Sequence, residues 1–416
     1  MLKPGFPEYL PEQKIFDEIQ NIVHQVSQKM YLHIWTPAVE KNEILLKEES
    51  SKQIFGLYGL AQVEDVKGYS LHFDLTVPLA RYVIEHEQEL AFPFKRVQVQ
   101  PVRRERSQRR FKEFWQADID IIWRSGEKST KNIFYDAEVM IVAQKILKDI
   151  KTKFAIDNMI TMHINNRKLA QFADFILDNE QDKKKLFKLF DDYYKMNEKF
   201  VSQVENITQD ADLQQKIFEY TKLNLDSISS EFAPNGLFKQ LDELKQVFSF
   251  LKKMDNREFG FVFDPMIMRL DYYTGTVYET FVDDLGLGSV YSGGRYENLT
   301  KSISNNQKDF EVGISMISRI CTLIWEQQKN QKSNQEDSFL FLNFENTIDI
   351  TLKLYSKFIE ENKICEMFPN SDKISKQYNY AEKKISHVVI LENEEKNKYQ
   401  IKNLKTGEIT SYDLDI

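Results

Sequence analysis

Cysteine is nearly absent: the chain of 416 residues holds two, Cys321 and Cys365, far apart in sequence. Two such residues make neither a disulfide framework nor a zinc site. No apolar run approaches the ~20 residues of a membrane span. The opening Met1-Leu2-Lys3-Pro4 carries no apolar signal core, so export is not expected and the expected location is cytoplasmic. Excess positive charge is missing too, the formal net charge being −8. That weakens any nucleic-acid reading built on bulk charge, although local basic stripes can still contact phosphates. Glycine is short, with 14 residues, about half the usual ~7%. What is present is ordinary for a globular protein, 42% hydrophobic and 29% charged, in a chain long enough for about two or three domains.

Periodicity organises the chain. Apolar Ile15, Phe16, Ile19, Ile22 and Val23 recur at helical spacing and predict a helix over 11–30. A short strand is expected at 33–37 and an alternating one at 69–75. Thr76-Val77-Pro78 then opens a helix through residue 89, with proline in its first turn. Strand-like runs at 94–103 and 113–122 flank a polar loop, a hairpin pattern that implies an antiparallel sheet. A helix is expected over 134–150. From 168 to 255 glycine almost vanishes and Lys, Asp, Phe and Leu recur at helical spacing, which reads as a helical insertion. Strand signals return at 259–263, 276–282 and 289–291, and residues 310–325 alternate and then turn helical. The polar run 326–337 reads as a linker. Beyond it strands at 338–343 and 387–391 alternate with helices at 348–361 and 374–384, a small α/β domain of about 80 residues.

Five constellations could carry chemistry. Arg103, Arg104, Arg106, Arg109, Arg110 and Lys112 crowd the hairpin loop, and the returning strand places Gln116, Asp118 and Asp120 on one face. Arginine forks suit phosphate oxygens and carboxylates suit an ammonium or imidazolium group. A solvated charged hairpin would show the same composition. Asp74 and Thr76 stand where a strand meets a helix, placed either for a cleft or simply for a helix cap. The run Met268 to Glu279 brings Arg269, Asp271, Tyr272 and Tyr273 beside a strand, as a polar pocket or a tyrosine-rich sheet face. Gly293-Gly294-Arg295-Tyr296 permits close backbone approach but is also a plain turn. Arg319 rides on a helix after Val312-Gly313-Ile314-Ser315, and an exposed helical arginine needs no function.

Each signal is modest; their order is informative. DLTVP…ARY, R-x-E with R-F-x-E-F-x-Q-x-D-x-D, RLDYYTGTVYE, GGRY and G-x-S…S-R follow one another, with GFPEYLPEQ and TPAVE upstream and KQYNYAEKK, HVVIL and NLKTGE downstream. In this order they resemble the histidine–tRNA ligase family over nearly the whole chain except the insertion. The resemblance implies an α+β fold: a class II synthetase antiparallel sheet flanked by helices over 1–325, a helical insertion at about 168–255, and a C-terminal α/β anticodon-binding domain over 338–416. It implies ATP and Mg²⁺, L-histidine and tRNA(His) as substrates and partners, and a homodimer with Pro37 at its interface. By resemblance Asp74 and Thr76 contact the histidine amino group, and Gln116 and Asp120 line the histidine pocket. Tyr272 and Tyr273 shape its imidazole end. Arg103 grips the α-phosphate, with Arg104 beside it in the ATP site. Arg269 supplies a second catalytic cation there, and Arg319 pairs with the γ-phosphate. No metal-ligating residue is implied.

The chain departs from the family pattern mainly at glycines. One is expected inside the arginine loop before Arg110, one between Arg269 and Leu270, one between Met316 and Ile317, and others near Leu391-Glu392 and Asn397-Lys398. The aromatic residue expected before Arg103 is also missing, so Arg103 and Arg104 can exchange register. A residue deleted from a strand turns later side chains to the other face. Two accounts follow: a paralogue that no longer catalyses, or a written sequence that omits glycines the cell inserts. Decay strikes varied residue types, whereas these losses are mostly glycine. Two non-enzymatic readings stand beside the ligase. One is the synthetase-like regulatory subunit of an ATP phosphoribosyltransferase, which usually lacks the C-terminal domain; the other is an inactive histidine- or tRNA-binding paralogue.

Overall fold

The computed structural model describes residues 13–28, 30–45, 54–57, 68–104, 112–124, 133–169, 172–196, 199–226, 237–253, 259–268, 273–283, 288–296, 310–311, 324, 337–369, 373–391 and 398–414. The chain forms two compact units, Met1–Gln327 and Gln328–Ile416.

The first unit is built on the hairpin Phe94–Arg103 and Glu113–Arg124, paired antiparallel from Phe94↔Ile122 to Arg103↔Glu113. Its two faces differ, as alternation requires. Val97, Val99, Ala117, Ile119 and Ile121 point into the main core. Arg96, Gln98, Gln100, Gln116, Asp118 and Asp120 share the opposite face. Leu32–His33 adds a parallel edge strand and Phe310–Glu311 an antiparallel one. The strand expected at 33–37 stops at His33 because the side-chain amides of the sheet take over as partners. Thr36 donates its N–H to Gln100 Oε1 at 3.2 Å, and its carbonyl accepts from Gln100 Nε2 at 2.9 Å.

A second four-stranded sheet contains the inner strand Ile160–Asn166, which was not among the expected strands. It pairs antiparallel with Thr276–Val282 and parallel with Phe259–Phe263. Tyr291–Gly294 closes the far edge, later than the expected 289–291. Helices Gln13–Ser27, Ile133–Phe154 and Phe238–Lys253 cover both sheets with one continuous core. Helix Phe238–Lys253, grouped by composition with the insertion, buries Leu244, Val247 and Leu251 there.

The insertion has its own core. Phe172, Leu186, Phe190, Phe200, Val204, Ile217 and Tyr220 pack together, with Phe172 and Tyr220 stacked at 4.3 Å. Two of its helices begin as sequence chemistry dictates. Asn179 accepts from Gln181 and Asp182 N–H, and Asp210 from Asp212 and Leu213 N–H.

In the second unit Ser338–Phe341 lies between Ile364–Met367 and His387–Ile390, both parallel to it. The antiparallel hairpin Lys398–Asn403 and Ile409–Asp413 extends the sheet. Helices Ile348–Glu360 and Ile374–Lys384 supply Leu354, Phe358 and Ala381 to cores on this sheet. Among the described residues no helix is long and apolar enough to cross a membrane.

Candidate active site

The polar face of the long hairpin is the floor of the site. A strand segment reading Arg-Val-Gln-Val-Gln puts its apolar residues in the core and its polar ones together on the other side. Register then sets Arg96 opposite Asp120, Gln98 opposite Asp118 and Gln100 opposite Gln116. Arg96, Asp118 and Asp120 have no solvent-accessible surface at all. Buried charge on this scale is costly unless paired.

The pairing is incomplete. Arg96 Nη2 lies 2.6 Å from Asp120 Oδ2 but 3.9 Å from Asp118 Oδ2. Arg96 also donates to Gln98 Oε1 at 3.0 Å and to the Leu75 carbonyl at 3.3 Å. Asp118 Oδ1 accepts from Gln116 Nε2 at 3.4 Å, whereas its buried Oδ2 has no hydrogen-bond partner. Tyr296 donates its hydroxyl to Asp120 Oδ1 at 3.3 Å.

Asp74 reaches this floor from the start of the next helix. The strand expected at 69–75 runs only from Tyr69 to Leu71. Asp74 Oδ1 then accepts from Val77 N–H at 3.2 Å and turns the chain into helix Thr76–Glu85. Of the two readings of Asp74, this hydrogen bond at the helix start matches the one that has it capping the helix. Asp74 and Thr76 are buried. Helix Thr76–Glu85 ends short of residue 89, in a turn where Leu90 N–H bonds the His86 carbonyl.

Electrostatics follow from burial. Desolvation, outweighing its backbone hydrogen bonds and two nearby arginines, pushes Asp74 up to about 6. Desolvation likewise pushes Asp120 up to about 7 against the pull of Arg96 and Tyr296. Asp118 is raised well above the ordinary carboxylate range by burial, with Asp120 and Asp74 adding like-charge repulsion. Three carboxyl groups thus face one fully buried guanidinium, an arrangement that a bound cation would complete.

Arg104 and Arg103 part company at the strand end. Arg104 Nε donates to the Phe73 carbonyl at 2.9 Å and its Nη2 to Gln116 Oε1 at 3.3 Å, over the Phe114 ring. Arg103 pairs with Glu113 at 2.6 Å, and alternation along the strand turns it away from Gln100 and Arg96. The structure therefore brings Asp74, Thr76, Arg104, Gln116, Asp120 and Tyr273 to the site and leaves Arg103 at its margin. Arg269, Tyr272 and Arg319 lie outside the described residues, as does Cys321.

The aromatic wall comes from residues that flank two strands of the second sheet, Tyr273 before Thr276–Val282 and Tyr296 after Tyr291–Gly294. Tyr273 and Tyr296 are buried with Phe73, Val77 and Ile267, their rings 6.4 Å apart. Gly294 makes this packing possible: a Cβ there would stand 2.7 Å from the Thr276 carbonyl and 2.8 Å from the Tyr273 ring. Arg295, next along, forks onto Asp136 at 3.1 and 2.8 Å. Two residues of the site were given no role in the sequence reading: Arg96 in the floor and Tyr296 in the wall. The alternation Arg96-Val97-Gln98-Val99-Gln100 was the available signal for the first. Among the described residues no group of three or more His, Cys, Asp or Glu is placed to hold a metal ion.

Comparison with known proteins gives the family and the fold. A family model described as histidyl-tRNA synthetase matches residues 5–317. The histidine–tRNA ligase of Clostridium tetani is 33% identical over 99% of this chain and 95% of that protein. That of Clostridium acetobutylicum is 32% identical over 97% of this chain and 96% of that protein. Among solved structures, histidyl-tRNA synthetase from Nostoc sp. superposes with a TM-score of 0.79 at 27% identity, covering 100% of this chain and 97% of that one. An ATP phosphoribosyltransferase regulatory subunit/histidyl-tRNA synthetase from Bacillus halodurans shares the fold, with a TM-score of 0.69 at 18% identity over 91% of this chain and 96% of that one.

Proposed function

Because the chain belongs to the histidyl-tRNA synthetase family and has its α+β class II fold, we propose that it activates L-histidine with ATP and transfers it to tRNA(His). The observation that carries this reading is the buried floor of three carboxyl groups against one guanidinium, walled by two tyrosines. In this reading the α-ammonium of histidine sits against Asp74 and Thr76. Its imidazole meets Gln116, Asp120 and the hydroxyls of Tyr273 and Tyr296. An amino acid without imidazole makes fewer hydrogen bonds to those groups, which is a basis for rejection.

The chemistry is two displacements. The histidine carboxylate oxygen attacks the α-phosphorus of ATP, the bond to the bridging oxygen breaks, and pyrophosphate leaves. A hydroxyl of the terminal ribose of tRNA then attacks the carbonyl carbon, loses its proton, and AMP leaves. Charge builds on the α-phosphoryl oxygens in the first step. Fixed guanidinium groups stabilise it because they need not reorganise as it forms. Beside Arg96 of the floor, Arg104 is a second guanidinium fixed at the site, by Gln116 and the Phe73 carbonyl. Arg103, Arg269 and Arg319 are assigned to the nucleotide by sequence motif. Mg²⁺ enters as the counter-ion of the triphosphate and belongs to the substrate.

We also assign the second unit to anticodon binding, and a homodimer to the intact protein, working in the cytoplasm. The dimer reading rests on Leu32 and Trp35, 62% and 67% exposed beside the edge strand Leu32–His33. The regulatory-subunit alternative is supported by no more than a shared fold at 18% identity.

Histidine-dependent exchange of pyrophosphate into ATP tests the reading. Exchange that requires histidine, and that no other amino acid supports, is the expected result. Histidine binding without exchange would move the protein to the non-catalytic paralogues.

A further inference from the structure

The segment that leads into the tyrosine wall is shared between two cores. Met266 and Met268 are buried in the core of the helical insertion. Ile267, between them, is buried in the other core with Phe73, Val77, Tyr273 and Tyr296. Three consecutive residues thus tie the insertion to the pocket wall. Backbone bonds from the second sheet fix their path. Asn165, fully buried, donates from Nδ2 to the carbonyls of both Pro265 and Ile267 at 3.1 Å. Asp264 N–H bonds the Ile164 carbonyl at 3.0 Å, and Asp264 Oδ1 accepts from Met266 N–H at 2.9 Å.

The other oxygen of Asp264 is held by side chains from two different elements. His163, on the inner strand Ile160–Asn166, brings Nδ1 within 2.6 Å of Oδ2. Tyr194, on the insertion helix Tyr193–Met196, donates its hydroxyl to the same Oδ2. The two rings and Phe281 form an aromatic cluster, with centroids 4.9 Å apart for His163–Phe281 and 5.1 Å for Tyr194–Phe281. The insertion's helices pack on their own phenylalanines and leucines together with Met266 and Met268.

We propose that Tyr194 is a positioning residue for the histidine pocket: its phenol, carried by the insertion, locks Asp264 and so fixes the segment whose Ile267 supports Tyr273 and Tyr296. The proposal rests on reading that pocket as the histidine site. Without the phenol, Asp264 keeps His163 and Met266 N–H, so the fold persists while segment 264–268 gains freedom. The tyrosine wall then meets imidazole less well, whereas ATP contacts made from the hairpin are untouched. An insertion displaced by a bound partner acts on the pocket through the same contact.

The experiment uses the full chain carrying Tyr194→Phe, which keeps the ring contacts and deletes only the hydroxyl. Pyrophosphate exchange should show the KM for histidine raised about three- to thirtyfold, with the KM for ATP unchanged. Hydrogen–deuterium exchange should quicken in peptides spanning 264–273 and not in those of the hairpin. A histidine KM and an exchange pattern equal to the parent's overturn the proposal. So does an equal loss for both substrates, which marks a general destabilisation. Should Tyr194→Phe not fold, Asp264→Asn is read in the same way. If the parent protein itself shows no histidine-dependent exchange, the pocket assignment fails, and the deuterium measurement alone decides the contact.

Discussion

At the scale of single residues, the site is governed by buried carboxyl groups that hold their protons more tightly than exposed ones do. Asp74 near 6 and Asp120 near 7 are both raised by burial from an ordinary value of 3.8. A raised acid binds its proton more tightly in the folded chain than in the unfolded one. Its contribution therefore favours folding below about 3.8 and is lost as pH climbs through 6 to 7. Binding of cationic substrate runs the other way, because only ionised carboxylates attract it. We expect kcat/KM for histidine to rise between about pH 5 and 7 after allowance for the imidazole of free histidine, itself near 6.5. In Asp120→Asn the upper part of that rise should disappear; a pH profile unchanged by the substitution would remove Asp120 from the binding step. Residues of this kind were only partly legible in the sequence. Gln116, Asp118 and Asp120 alternate openly on one strand, yet Arg96 on the facing strand drew no functional reading. Tyr296 stood in a glycine-arginine-tyrosine turn that read equally well as a plain turn. Its link to Asp120, 176 residues away in sequence, exists only in three dimensions.

At the scale of elements, legibility follows how strictly one face is buried. The hairpin Phe94–Arg103 and Glu113–Arg124 was readable because every second residue is apolar and core-facing. Strand Ile160–Asn166 was missed although Ile160, Met162 and Ile164 alternate with Thr161, His163 and Asn165, because the run is short and follows directly on a long helix. The strands Ile364–Met367 and Ile409–Asp413 also escaped notice. No residue in either is fully buried, so their composition carries little pattern. Helix starts were more explicit, being local chemistry. In the insertion, Asn179 holds two backbone N–H groups of helix Glu180–Asp191 that otherwise lack partners. Replacing it by Ala should cost about 1 kcal/mol, read as a lower unfolding midpoint in denaturant with histidine KM unaltered. A shift in KM without a change in midpoint would mean that the cap, not its helix, communicates with the pocket.

At the scale of the whole molecule, the exposed segment beside the edge strand is joined directly to the floor. Trp35 is solvent-facing, while its neighbour Thr36 is buried and brackets Gln100 with two backbone hydrogen bonds. Thr36 also accepts from Gln98 Nε2 at 2.8 Å. Subunit contact at Trp35 would thereby stiffen the strand that presents Arg96. Trp35→Glu should yield a monomer by light scattering and lose most exchange activity; a fully active monomer would separate assembly from catalysis. The glycine shortfall also belongs to this scale, since the junctions involved lie in both units. An intact mass for the protein from its native cell that equals the written sequence would leave loss of catalysis as the account; a mass heavier by whole glycines would favour insertion.

The unpaired Asp118 oxygen has a consequence outside catalysis. Carboxyl groups that burial holds protonated release those protons when a cation binds beside them, so ligand binding at this floor is linked to proton release and adds to the stability of the folded chain.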